Sequence, residues 1–233
     1  MKLILDGIAC HRGDWSLSAT GTFEEGIHLI TGAVGSGKST LALVAGKNLS
    51  PSTGQVFYES ITRVILSLQF PEHHITGQTV AEEIRSWGLP PEPVLSDARL
   101  WERSSDDPFL LSRGELKRLH LECILRLPVD LLILDEPFSG LDPAEKELYC
   151  SRIEKCRTSG ITLVLTHEQD FFPKIDCIWE IQENCLRFLG SPPYAYHYWN
   201  LIPRVVQDLL DRGTPPQNLR RSDFREALCR TRD

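Results

Sequence analysis

Gly32-Ala33-Val34-Gly35-Ser36-Gly37-Lys38-Ser39-Thr40 is the stretch around which the rest of the chain is read. It fits the pattern G-x-x-x-x-G-K-[ST], with Gly32, Gly37, Lys38 and Ser39 at the fixed positions. The residue types have a physical reason. Successive backbone N–H groups must curl around a polyphosphate, and glycine lets the chain approach without a Cβ clash. A lysine there reaches the β- and γ-phosphates as a point charge, and the following hydroxyl ligates Mg²⁺. Ile27-His28-Leu29-Ile30 reads as a buried strand entering the loop, and Thr40–Ala45 as a helix leaving it, its N-terminal dipole facing the phosphates.

Ahead of this unit, Lys2–Cys10 and Trp15–Thr20 read as strands, the second alternating with period two, so Met1 to Ile30 is expected to form a small antiparallel β-region before an α/β core. Beyond it, Ser50–Gly54 is a turn, Gln55–Tyr58 a strand, and Val64–Leu68 an apolar strand ending at Gln69. A polar residue at the carboxyl end of a buried strand either caps the strand or faces a ligand. Thr79 is a candidate N-cap for a helix beginning at Val80. Gly88–Pro93 reads as a break, Leu95–Trp101 as a short segment, and Asp106-Asp107-Pro108 as another break. The polar, punctuated region from about 70 to 110 is expected to be a helical insertion.

Leu111-Ser112-Arg113-Gly114-Glu115 leads into a helix expected over Leu116–Leu127, and the amides of Ser112 and Gly114 at its start can meet an anion. Leu131–Leu134 then runs into Asp135-Glu136-Pro137: a buried strand ending in two carboxylates. At a phosphoryl-transfer site such an Asp holds the Mg²⁺ shell, and the neighbouring Glu orients and deprotonates the attacking water. Ser139–Pro143 is a turn into an amphipathic helix over Ala144–Arg157, and Ile161–Thr166 is a further strand ending in His167. A histidine at a strand tip serves either structure or a γ-phosphate. Residues 177–189 read as a closing hairpin, followed by two helices separated by Gly213–Pro216, the second capped by Ser222.

Composition agrees with a large folded unit. The chain has 233 residues, 41% hydrophobic and 24% charged, enough for a sizeable apolar core. A net charge of −7 gives nucleic acid no global attraction. No apolar run approaches the ~20 residues of a membrane span. Met1–Asp6 meets an acid too early for a signal peptide. Seven cysteines without a C-x-x-C pair point to reduced thiols in a cytosolic protein, not to a metal cluster.

The order of these pieces resembles an ATP-binding-cassette (ABC) ATPase along nearly the whole chain. Gly32–Thr40 stands as Walker A, Gln69 as the Q-loop and Leu111–Glu115 as the signature. Leu131–Glu136 stands as Walker B with its glutamate, Ser139–Asp142 as the D-loop and His167 as the switch histidine. The resemblance implies an α/β P-loop NTPase with an N-terminal antiparallel β-region, a RecA-like core and a short α-helical subdomain. Its boundaries would be 1–68 with 119–200 for the β-region and core, 69–118 for the helical subdomain, and 201–233 for a C-terminal helical extension.

The resemblance further implies a head-to-tail dimer with two ATPs at the interface. Gly32, Ala33, Val34, Gly35, Ser36, Gly37, Lys38, Ser39 and Thr40 would hold the phosphates, with Ser39, Gln69 and Asp135 serving Mg²⁺. Glu136 would polarise the water, His167 would support Glu136 and the γ-phosphate, and Lys38 and Gln69 would complete the catalytic set. Ser112 and Gly114 would close over the γ-phosphate in trans, and Asp142 would couple the two sites. His11 falls nearest the adenine-stacking position, with Trp15 the substitute.

Gln69-Phe70-Pro71-Glu72-His73-His74 and Thr79–Ile84 resemble, more narrowly, the Q-loop segment of energy-coupling-factor (ECF) ATPases, which include cobalt and nickel importers, although His74 replaces a Gln. That likeness implies a peripheral subunit on the cytoplasmic face of the membrane. Its partners would be a second ATPase chain, a membrane coupling subunit and a substrate-binding membrane subunit, with a vitamin or transition-metal ion as cargo and no nucleic acid. Against the usual Leu-Ser-Gly-Gly-Gln, Arg113 and Glu115 depart at the third and fifth positions, which would weaken one composite site and suit an asymmetric heterodimer. A soluble ABC ATPase acting on DNA or ribosomes is the alternative. A small-molecule P-loop kinase has no need of the signature or D-loop.

Overall fold

Alternating burial makes the first segments strands with one face in the core. In a computed structural model describing residues 1–156 and 159–230, β1 (Lys2–Arg12) and β2 (Trp15–Phe23) pair antiparallel through a tight turn at Gly13. β3 (Gly26–Gly32) is buried along almost its whole length, as a strand covered on both faces must be. It feeds α1 (Lys38–Ala45), after which β4 (Thr53–Glu59) returns antiparallel to β1. β5 (Val64–Ser67) precedes a 3₁₀ turn at Pro71–His74. Then come α2 (Val80–Ser86), α3 (Pro91–Ala98) and α4 (Arg113–Ile124). The chain closes with β6 (Leu131–Asp135), α5 (Pro143–Cys156), β7 (Ile161–Leu165), β8 (Cys177–Gln182), β9 (Cys185–Gly190), α6 (Arg204–Asp211) and α7 (Arg221–Arg230).

Among the described residues these strands form one nine-stranded sheet, ordered β4-β1-β2-β9-β8-β3-β7-β6-β5. β1, β2 and β4 pair antiparallel, as expected of the N-terminal region, and they continue into the sheet of the core, to whose parallel part β3 belongs. β3 lies parallel to β7 and β8, while β1 and β2 continue the same sheet through a single parallel pairing, Ser18 with Cys185. The register decides where the site can be. Ile30 and Asp135 both pair with Leu165, and Ser67 pairs with Leu134, so β3, β7, β6 and β5 end together at one carboxyl edge. In a parallel sheet that edge is where ligands bind.

One apolar cluster packs the sheet against α4, α5 and the C-terminal helices through Leu132, Tyr149, Ile153 and Phe224. A second joins the β1–β2 hairpin to α1 and to the sheet through Leu5, Leu17, Leu41, Ile133 and Leu163. A third, with Val80, Ile84, Val94, Leu95, Leu116 and Leu119 among its members, gives α2, α3 and the start of α4 an apolar centre of their own. An ionic group around the buried Glu122 ties α3, α4 and α5 together: Glu122 of α4 meets Arg126 and also Arg152 of α5, and Arg126 reaches Asp97 of α3.

Four local expectations change. Gly88–Pro93 is not wholly a break, because Pro91 begins α3, where a missing N–H costs nothing. The helix expected over Leu116–Leu127 starts earlier, at Arg113, and ends at Ile124. Ser222 lies inside α7 and does not cap it. The helix expected over Ala144–Arg157 runs Pro143–Cys156, and Arg157 lies outside the described residues. Thr79 does cap α2, its side chain accepting from the Glu82 N–H.

Candidate functional site

The loop after β3 needs glycine where it turns into α1. Gly37 caps the helix at φ 108°, and a Cβ there would stand 2.8 Å from the Trp15 ring. α1 has no acid in its first turn, so its N-terminal amides keep their positive end open. Val34, Gly35 and residues 37–40 line a cavity of about 430 Å³ together with Gln69, Glu136 and His167. Gly32, Ala33 and Ser36 face adjoining recesses of the same loop.

Inside the loop, the Lys38 ammonium donates to the Gly32 carbonyl at 2.8 Å and to the Ala33 carbonyl at 3.3 Å. Burial lowers its pKa, against the pull of Glu136 and Asp135. Asp135, at the end of β6, is 2% exposed. Burial raises its carboxyl, while a hydrogen bond from the Ser39 hydroxyl works the other way. Its Oδ1 is buried without a hydrogen-bond partner. A buried carboxylate oxygen left unpaired beside a hydroxyl is an oxygen donor pair that fits a hard divalent cation.

Glu136 follows with φ 48°, a left-handed backbone that costs a non-glycine residue about 1 kcal/mol or more. Several contacts hold it there. Its N–H donates to the Leu165 carbonyl at 2.8 Å. Thr166 Oγ1 donates to its Oε2 at 2.9 Å, and the His167 Nδ1 lies 2.6 Å from its Oε1. The carboxylate is thus pinned at both oxygens by consecutive residues at the end of β7.

His11 does not line the cavity. Trp15 and Arg12 do, and they pair across the β1–β2 hairpin, while His11 pairs with Ser16. Neighbours in a strand point to opposite faces, so a one-residue step in register decides which ring meets the pocket.

Ser112, Gly114 and Asp142 also lie outside this cavity. Ser112 caps α4: its hydroxyl accepts from the Glu115 N–H at 3.3 Å, and Glu115 Oε2 accepts from the Ser112 N–H at 2.8 Å. Asp142 makes the same reciprocal pair with Glu145, at 2.8 and 3.1 Å. Both are capping boxes. The acid at 115, a departure in the motif, is therefore part of its own helix end, where Arg103 also reaches it at 3.4 Å. The two turns touch: a Cβ on Gly114 would stand 2.9 Å from the Gly140 carbonyl oxygen.

Sequence reasoning missed Arg12, Thr166 and Lys117. Thr166 ends an expected strand next to His167, which is a positional signal in the sequence, whereas Arg12 meets Trp15 only through the hairpin register. Lys117 had none, being one of three basic residues at the start of α4, beside Arg118. It is 2% exposed, and burial lowers its ammonium to about 8.

The family model for the ABC transporter matches residues 19–139. A Methanosarcina mazei protein named as a putative ABC transporter ATP-binding protein is 35% identical over 210 residues, covering 79% of this chain and 73% of that protein. The energy-coupling factor transporter ATP-binding protein EcfA2 of Streptococcus pyogenes is 29% identical over 230 residues, 81% of each chain. Among solved structures, a dimeric ATP-binding cassette in a post-hydrolysis state with ADP and phosphate superposes with a TM-score of 0.68 at 18% identity, covering 81% of this chain and 98% of that one. One named for cobalt transport ATP binding gives 0.65 at 21% identity, covering 81% and 80%. No helix among the described residues is long and apolar enough to cross a membrane. With its phosphate loop, paired carboxylates and strand-tip histidine at one sheet edge, the chain belongs to the ABC transporter family of ATP-binding proteins and is an ABC ATPase.

Proposed function

We propose that this chain is the ATP-hydrolysing subunit of an ECF-type importer, working as a head-to-tail dimer beneath separate membrane subunits. The observation that carries the hydrolytic part is the convergence of Lys38, Glu136 and His167 on one cavity at the carboxyl edge of the sheet. In this reading Lys38 exchanges its loop carbonyls for the β- and γ-phosphates of ATP, whose remaining oxygens take the loop amides and the α1 N-terminus. Ser39, Gln69 and Asp135 would hold Mg²⁺, whose charge would offset that of the phosphates. Glu136 orients and deprotonates water, and His167 keeps its carboxylate in place. Trp15 stacks on the adenine. Ser112 and Gly114 serve the nucleotide of the partner subunit, and Asp142 lies between the two sites.

The residues from 69 to 118 form, in the same reading, a helical subdomain that meets the membrane partner. Residues 201–233 form a C-terminal extension, and 1–68 with 119–200 the nucleotide-binding body. The apolar cluster built by α2, α3 and α4 supports the first of these. The likeness to EcfA2 supports an ECF partner set; peripheral attachment at the cytoplasmic face and a vitamin or transition-metal cargo belong to the same reading.

Tagging the chain in its own cells, solubilising the membranes and identifying what co-purifies tests the proposal. A second cassette ATPase with small multi-span proteins supports it. Recovery only with ribosomes or nucleic acid would favour the soluble alternative and remove the transport reading.

A further inference from the structure

Lys117 is a buried cation whose hydrogen bonds, among the described residues, end on backbone carbonyls of the candidate site. Its ammonium donates to the Gln69 carbonyl at 2.9 Å and to the Glu136 carbonyl at 3.4 Å. Neither carbonyl belongs to a strand: Gln69 follows β5, and Glu136 follows β6. Burying an ammonium is costly unless it is paired and hydrogen-bonded, so its presence at this point of α4 rests on the groups it meets. The carboxylates of Asp135, Glu72 and Glu136 lie close enough to favour the charge.

We propose that Lys117 is a positioning residue for ATP hydrolysis, one ammonium that fixes the Q-loop and the Glu136 peptide relative to each other. The inference rests on the hydrolytic reading above. Glu136 holds a left-handed φ of 48°. Its N–H is fixed by Leu165, and its carbonyl otherwise accepts only from the Ser139 N–H at 3.3 Å among the described backbone contacts. Removing the ammonium frees that carbonyl to swing, and the carboxylate turns with it, away from His167. Gln69 loses its tether in the same step. Lys117 touches no nucleotide in this account and acts through the two residues it holds. Because it stands in α4, a few residues from Ser112, it also connects the signature turn to both.

The full chain with Lys117→Met and with Lys117→Arg tests this, by steady-state ATP hydrolysis, nucleotide affinity and thermal unfolding. Methionine keeps much of the stem and removes the charge. The expected result is a kcat about ten- to a hundredfold lower with KM for ATP within about twofold, from displaced rather than missing catalytic groups. The Lys117→Met melting temperature is expected to fall, because removing the ammonium leaves the carbonyls and carboxylates around it uncompensated, so kcat is compared well below either melting transition. Lys117→Arg, which keeps a donor, should recover part of kcat. A kcat unchanged in Lys117→Met overturns the inference. So does a loss of kcat that follows a matching loss of melting temperature in both variants, which is the behaviour of a core-filling side chain. A wild-type chain that binds no ATP overturns the hydrolytic reading and this inference with it, whereas a wild type that turns over normally beside an equally active Lys117→Met overturns this inference alone.

Discussion

The His167 Nδ1 and the Glu136 Oε1 stand 2.6 Å apart, just beyond the tips of neighbouring parallel strands. With Thr166 donating to the other oxygen, the carboxylate has little freedom to rotate. Glu136→Gln keeps the shape but cannot take a proton from water. It should bind ATP and hydrolyse it about a hundredfold more slowly or worse, trapping a closed dimer. Single-turnover hydrolysis and size-exclusion chromatography with ATP read both effects, and normal turnover would remove Glu136 as the base.

Lys38 bonds to loop carbonyls in this structure, weak partners that a phosphate can replace. Charge-assisted hydrogen bonds contribute about 1.5–3 kcal/mol, so Lys38→Ala should weaken ATP binding by about tenfold or more. Equilibrium binding of a fluorescent ATP analogue measures it, and an unaltered affinity means the phosphates sit elsewhere.

Trp15, not His11, faces the cavity. Base stacking on an aromatic ring is worth about 1–3 kcal/mol, so Trp15→Ala should weaken ATP binding by about fivefold or more while His11→Ala leaves it unchanged. The same binding assay decides, and the reverse ranking would return the base to His11.

Glu115 and Ser112 satisfy each other's N–H groups. Glutamine closes a capping box as well as glutamate does, so Glu115→Gln should leave stability and ATPase rate within about twofold. Ser112→Ala should lower unfolding stability by about 1 kcal/mol. Urea unfolding separates the two, and a large loss in Glu115→Gln alone would show that the negative charge itself matters.

Burial lowers the pKa of His28 and of His120 below the ordinary value of 6.5, with His74 and Lys117 adding to the effect at His120. Glu24 and Asp176 pull His28 the other way without cancelling its burial. Below about pH 6.5 the unfolded chain takes up protons that the folded chain refuses. Their contribution to stability is therefore complete above that value and is lost as the pH falls. Urea midpoints at roughly pH 7.5 and 5.5 should show the loss, and His120→Asn should flatten it. An equally steep fall in the variant counts against His120 as a source.

Much of this was legible because buried parallel strands announce themselves. Val64–Leu68, Leu131–Leu134 and Ile161–Thr166 are runs of mostly apolar residues whose followers are the site residues Gln69, Asp135 and His167. Their gathering at one edge follows from strand register once the order is known. What was not legible depends on register and on tertiary contact. Whether His11 or Trp15 meets the pocket turns on one step in a hairpin. The capping boxes at Ser112–Glu115 and Asp142–Glu145 follow a local spacing that is legible in the sequence. Lys117 is invisible to periodicity, since its partners are carbonyls distant in sequence.

The contact of Gly114 with the Gly140 carbonyl has a mechanical consequence. With no room between them, the turn bearing Ser112 and the turn bearing Asp142 cannot slide past each other, and a push on either displaces both. In the head-to-tail pair proposed above, one nucleotide bears on the first turn while the second turn faces the opposite site. Each nucleotide would then announce its arrival to the other through two touching pieces of backbone, with no relay of side chains in between.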